Sequence, residues 1–145
     1  MIMQYSLDKN NNILTFNSHE EYLNWHKENQ DITRTIKKTT FENEILISTV
    51  FLSMNHNYDG GPPILFETMI FDDDEIGDRD GEQYRYTTYD EALNDHNRIV
   101  KQFSYKIVKE VTRVDGKEFI SFPQKENPDD FIKSRFDILD IREGE

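Results

Sequence analysis

Short blocks of alternating apolar and polar residues run through most of this chain. Clusters of Asn, Asp, Gly and Pro separate them, which is the pattern of strands joined by turns. Residues 2–7 (IMQYSL) and 13–16 (ILTF) flank Asp8-Lys9-Asn10-Asn11-Asn12 and predict a first pair of strands. Ser18 with Glu21 three residues on is a capping-box pattern, predicting a helix over 19–29 anchored by Trp25. Residues 32–40 (ITRTIKKTT) are rich in β-branched side chains and read as a strand, with Lys37 and Lys38 pointing to an exposed edge.

The next stretch is the most apolar. In 45–52 (ILISTVFL), Ile45, Ile47, Thr49 and Phe51 share one face, and Leu46, Ser48, Val50 and Leu52 the other. Both faces are largely apolar, so this is a central strand covered on both sides. A loop over 53–63 leads to a strand over 64–71, with Ile64, Phe66, Thr68 and Ile70 on one face and Leu65, Glu67, Met69 and Phe71 on the other. The acidic loop 72–82 then joins it to a strand over 83–87 (QYRYT), antiparallel to its predecessor.

Thr88 and Glu91 form a second capping box. Behind it Ala92, Leu93, His96, Ile99, Val100, Phe103 and Ile107 recur at spacings of three and four, and no Gly or Pro interrupts 88–111. These predict the longest helix, from 89 to about 108, although SYKIVKEV at its end also suits a strand. Asp115-Gly116 is a turn signal, 119–122 (FISF) a short strand, and Asn127-Pro128-Asp129-Asp130 the start of a C-terminal helix over 129–140. FDILDI as a strand is the competing reading of that end.

The expected architecture is a single α+β domain over 1–145: a mainly antiparallel sheet of four to six strands, one long helix packed across it, and shorter helices. A chain of this length buries roughly 70% of the surface its unfolded form exposes, enough for one core. Ten Phe, seven Tyr and one Trp supply bulky core material. The formal charge of −12 opposes direct binding to a nucleic-acid backbone and suits a protein partner with a basic surface, or simply a soluble one. With no cysteine, disulfides, cysteine-ligated zinc and thiol catalysis are excluded. The start MIMQYSLDKN does not read as a signal peptide, and no window approaches the ~18 consecutive apolar residues of a membrane span, so a soluble, intracellular protein is expected.

Candidate chemistry begins with Glu67, a carboxylate among apolar neighbours that must be paired, hydrogen-bonded or protonated. It is either a general base or metal ligand, or a structural carboxylate bonded to a neighbour such as Arg85. His96 lies on the apolar face of the long helix and points at the sheet, as a satisfied core residue or as a ligand. With His56, just past the 45–52 strand, the three make a two-histidine, one-carboxylate set, the weak candidate for catalysis or a divalent metal. No fixed motif spacing supports it, and no cofactor is expected.

The loop with Gly60-Gly61-Pro62-Pro63 lacks the ending of a phosphate-binding loop and leads into a strand. Glycines permit positive φ and prolines stiffen the strand entry; loops of this length are often binding elements, here through Asn55, His56, Asn57, Tyr58, Asp59, Gly60 and Gly61. The acidic run, with Asp72, Asp73, Asp74, Asp78 and Asp80, fails the EF-hand frame: with Gly81 as the loop glycine, Ile76 takes the first ligand position and Thr87 the twelfth. It is a solvated hairpin tip or a negative surface read by a basic partner. No serine or threonine sits in a recognisable nucleophile setting.

STVFL (48–52), His56, GPPILFETMIF (61–71) and RYTTYDEALNDH (85–96) together resemble a family of small uncharacterised bacteriophage proteins. Their shared pattern is STVFL or STVWL, a histidine, a glycine-rich turn, PPL(I)FETMVF and RYxTxxEAxxGH. It is matched here at His56, Gly61, Pro62, Pro63, Phe66, Glu67, Thr68, Met69, Tyr86, Glu91, Ala92 and His96, with Asp95 at the usual glycine. The likeness covers about 1–100; the core of 1–110 is family-like and 111–145 an extension. It brings no activity with it. What it implies is a phage accessory protein in the cytoplasm of the bacterial host. Three functions follow as expectations: binding a protein partner, including inhibition of a host defence system; a small metal-dependent or acid–base enzyme using His56, Glu67 and His96; or sequestration of a small molecule by the 53–63 loop.

Overall fold

In the computed structural model, which describes residues 3–72 and 79–123, eight strands and two helices form one α+β domain. The elements run β1 (Gln4–Leu7), β2 (Ile13–Phe16), α1 (His19–Glu28), β3 (Thr35–Phe41), β4 (Leu46–Phe51), β5 (Phe66–Phe71), β6 (Gln83–Tyr86), α2 (Tyr89–Val100), β7 (Ile107–Val114) and β8 (Lys117–Ser121). The six strands β6-β5-β4-β3-β7-β8 make one antiparallel sheet, and β1-β2 a separate hairpin carrying α1. No helix among the described residues is long and apolar enough to cross a membrane. The helix and strand readings of 129–140 lie outside the described residues.

Helix α2 crosses one face of the sheet. Thr88 caps it, accepting from the Glu91 amide while the Glu91 carboxylate accepts from Thr88, so the expected capping box is complete. Ala92, His96 and Ile99, spaced by four and three, are its fully buried residues. At α1 the Ser18 cap is present, but Glu21 accepts from the Asn17 amide. That helix has no fully buried residue and docks through ring contacts, with Phe16 against Tyr22 at 5.6 Å and Trp25 at 6.1 Å.

Two apolar clusters lie under α2. One joins Tyr5, Leu7, Ile36, Phe51, Leu65, Phe66 and Ala92; the other Phe41, Ile45, Ile47, Ile70 and Ile99. Burying one such aliphatic or aromatic side chain contributes roughly 1.5–3 kcal/mol.

Two expectations are corrected. Residues 32–40 are not an edge: β3 lies between β4 and β7. A register shift between Thr35 and Lys37 lets Ile36 join the core while Lys37 reaches beneath α2 to Asn97 Oδ1 at 3.0 Å and Glu110 Oε2 at 3.8 Å. The lysine is therefore paired beneath the helix. Secondly, α2 ends at Val100, where Gln102 and Phe103 amides bond back three residues to Ile99 and Val100 and close the helix. From Ile107 the β-branched run IVKEVTRV pairs with β3, and tertiary pairing overrides the helical spacing of Phe103 and Ile107.

Candidate functional site

The two faces of β5 decide how the expected His56, Glu67 and His96 set is arranged. Phe66, Thr68 and Ile70 are buried beneath α2, so Glu67, Met69 and Phe71 project from the opposite face. His96 hangs from α2 on the covered side. Glu67 is thus separated from His96 by the sheet itself, and the two do not come together in the expected two-histidine, one-carboxylate set. Glu67 instead pairs across the strands with Arg85, Nε to Oε2 3.0 Å, the structural alternative weighed for it. His56 sits in the 53–63 loop, its amide donating to Ile64 O at 3.1 Å and its ring 6.5 Å from that of Tyr58. Among the described residues, no group of three or more His, Cys, Asp or Glu is placed to hold a metal ion.

His96 is fully enclosed and doubly bonded. Nε2 lies 2.9 Å from Thr39 Oγ1 and Nδ1 lies 2.7 Å from Thr49 Oγ1, which in turn meets Thr68 Oγ1 at 2.5 Å. Thr39 also donates to Glu110 Oε2 at 3.3 Å. A carboxylate only accepts, so Thr39 accepts from Nε2–H; Nδ1 then accepts from Thr49, and Thr49 from Thr68. The network assigns the Nε2–H tautomer and leaves neither ring nitrogen free. Burial drives the His96 pKa down to about 3, Lys37 pushes the same way, and Asp95 opposes weakly. This neutral imidazole bridges the two apolar clusters as a polar seam.

Beside it, Tyr86 donates to Asp95, whose carboxylate also accepts from Arg98 Nε at 2.5 Å. Burial and then the Asp95 bond raise the Tyr86 phenol well above its ordinary range. Burial alone would raise Asp95, but Arg98 and Tyr86 hold its carboxyl below the usual value. These residues, with Arg85, Glu91 and Asn94, line an open groove of about 620 Å³ between β6 and α2.

The 53–63 loop is of another kind. Asn55 Oδ1 accepts from the Asn57 amide at 2.8 Å and the Ile64 amide at 2.9 Å, Asn57 Nδ2 donates to Pro62 O at 2.9 Å, and Asn57 Oδ1 accepts from the Asp59 amide at 3.1 Å. Gly60 and Gly61 take φ of 84° and 93°, open to glycine at little cost. The loop is therefore held from within, and at its tip Tyr58 is 85% exposed. The loop around it is bonded, and the exposed Tyr58 ring has unused contact area, which is what His96 lacks.

In the acidic run, Asp72 is buried, with its amide donating to Asp80 Oδ1 at 2.7 Å; Asp73, Asp74 and Asp78 lie outside the described residues.

Two constellations escaped the sequence reading. Ser6 Oγ lies 2.8 Å from His26 Nε2, a nucleophile–base distance joining β1 to α1. The adjoining cavity is about 20 Å³, room for one water, and Ser6 is buried, so the pair ties the helix down. Arg113, also buried, donates to Leu7 O at 3.1 Å and Asp8 O at 3.0 Å and to Asn11 Oδ1, stapling the first hairpin to β7. Both join residues far apart in sequence, and no local spacing announces either.

No protein-family model matches the chain, and neither do the curated proteins or the solved structures compared with it.

Proposed function

We propose that this is a small acidic phage-encoded accessory protein that acts by binding a protein partner, with the 53–63 loop as its contact and Tyr58 as its anchor. The single observation that carries the reading is the 85% exposure of Tyr58 on a loop bonded from within. Binding a pre-organised loop avoids part of the ordering cost of association, and tyrosines in such settings are frequent interface anchors. The charge of −12 favours a partner with a basic surface, and the likeness of residues 48–96 to bacteriophage proteins supports a host protein, in its sharpest form a defence factor, as that partner.

No specific observation favours the enzyme or the small-molecule reading. His96 is used up by threonines and Glu67 by Arg85, on opposite faces. The cavity beside Ser6 and His26, about 20 Å³, is far below the ~300 Å³ of a small-molecule pocket, and the groove of about 620 Å³ between β6 and α2 is open and lined by no residue of the 53–63 loop.

The test is capture from lysate of the bacterial host on immobilised full chain, beside a Tyr58→Ala variant. A partner retained by the native chain and depleted tenfold or more by the variant is expected. Equal retention on both would refute the role given to the loop.

A further inference from the structure

The six-stranded sheet ends in β6 on one side and β8 on the other, and the two rims differ in chemistry. Along β6 the Ile70 amide bonds to Glu82 O, so by alternation Gln83 and Arg85 turn their backbone groups outward. That rim is four residues long, with Arg85 tied to Glu67 and the polar residues of α2 beside it. Shortness and charge are the usual means of blunting an edge. The β8 rim is also short, five residues, and begins with Lys117 and Glu118, but beyond them it is apolar. Phe119 is 49% and Ile120 48% exposed on opposite faces, and Phe122, just beyond, is 63% exposed.

We propose that β8 pairs with β8 of a second copy of this chain, antiparallel about a twofold axis, to make one continuous twelve-stranded sheet. Asp115 and Gly116 have φ of 53° and 79°, a two-residue turn of the type that closes a hairpin on a hydrogen-bonded pair, here Val114 and Lys117. Lys117, Phe119 and Ser121 therefore bond to β7, and Glu118 and Ile120 turn their N–H and C=O outward. No described residue bonds those four groups.

An axis through Phe119 sets Glu118 of each copy against Ile120 of the other. All outward donors and acceptors of the two residues then pair, and Phe119 meets its own copy where side chains approach most closely. The Glu118 carboxylate is already turned aside, accepting from Thr33 Oγ1 at 2.8 Å. Charge allows the approach here: residues 106–118 hold four basic and three acidic side chains in a chain of net −12. A second copy, whose β8 edge is complementary to this one by symmetry, fits without any unpaired outward group.

The chain has no cysteine, so Phe119→Cys is a single reporter at the proposed axis. Light scattering of the full chain should give twice the monomer mass, falling on dilution. Mild oxidation should cross-link Phe119→Cys to itself, whereas Phe71→Cys, similarly exposed on β5, should form the dimer without a cross-link. Ile120→Lys, which puts a charge on the rim, and Ile120→Pro, which removes an outward N–H but no bond to β7, should each weaken dimerisation tenfold or more with unchanged circular dichroism. A monomer at hundreds of micromolar would overturn the proposal. So would a dimer that survives both variants without the Phe119→Cys cross-link. A monomer whose Glu118 and Ile120 amides resist hydrogen exchange would mean that the same chain covers the edge, and would equally overturn it.

Discussion

His96 and Tyr58 are the two conspicuous polar-aromatic positions of this chain, and they end in opposite conditions. The histidine is wholly enclosed and both its nitrogens are bonded; the tyrosine is 85% exposed on a loop whose polar groups bond one another. The difference is one of remaining capacity. A residue type that suits catalysis does nothing once the fold has taken its donors and acceptors, whereas an unremarkable tyrosine gains importance when it stands exposed on a loop that is itself held. On this view the core of the molecule consumes its chemistry and the loop keeps its own in reserve.

The largest effect expected from breaking that contrast is on stability. His96→Ala removes a fully buried ring and strands the hydroxyls of Thr39 and Thr49, and should cost about 3–5 kcal/mol in urea unfolding. A cost below ~1 kcal/mol would show that the seam is not structural. Tyr58→Ala should leave that midpoint within about 0.5 kcal/mol, because an exposed tip contributes little to the fold.

The seam also has a pH signature. His96 ionises near 6.5 when unfolded and only at about 3 when folded, facing Lys37 from β3, Asp95 from its own helix and, through Thr39, Glu110 from β7. Between those values the unfolded chain binds the extra proton, so stability falls as pH falls, by about 1.4 kcal/mol per unit from this group. Above pH 6.5 its contribution is flat. Unfolding midpoints between pH 4 and 7 check the slope, and an unchanged midpoint would contradict it.

Thr49→Val keeps the shape of the side chain but leaves His96 Nδ1 and the Thr68 hydroxyl without this partner, at about 1–3 kcal/mol. At the loop, Gly61→Ala combines φ of 93° with a Cβ 3.3 Å from Asn57 Nδ2. It should cost about 1–2 kcal/mol and loosen Tyr58, read as faster amide exchange at 55–60. The smallest effect belongs to Glu67→Gln. Its partner Arg85 is 42% exposed, so losing this pair should change stability by less than about 1 kcal/mol.

Much of the architecture was legible, and the failures have physical causes. Thr88 with Glu91 announced α2, the two-sided apolar run at 45–52 announced a central strand, and Asp115-Gly116 announced the last turn, because each is decided by neighbours in sequence. The two lysines of β3 misled because the partners of Lys37, Asn97 and Glu110, arrive from α2 and β7. The end of α2 misled because Phe103 and Ile107 fit a helical stripe and a strand equally until β3 offers its edge. Glu67 was assigned to the right set of side chains, but both faces of β5 are apolar enough to attract a helix, so which one α2 covers could not be read locally. The same holds for Ser6 with His26 and for Arg113, whose partners are brought together only by packing.

The fold consumes the hydrogen-bonding capacity of His96. Imidazole nitrogen shifts from a histidine-labelled full chain, followed from pH 7 to pH 4, test this directly. The prediction is a fixed Nε2–H tautomer that does not titrate across that range, with protonation only at about pH 3. Titration near 6.5 with exchange between tautomers would show a free, accessible imidazole and would contradict the account.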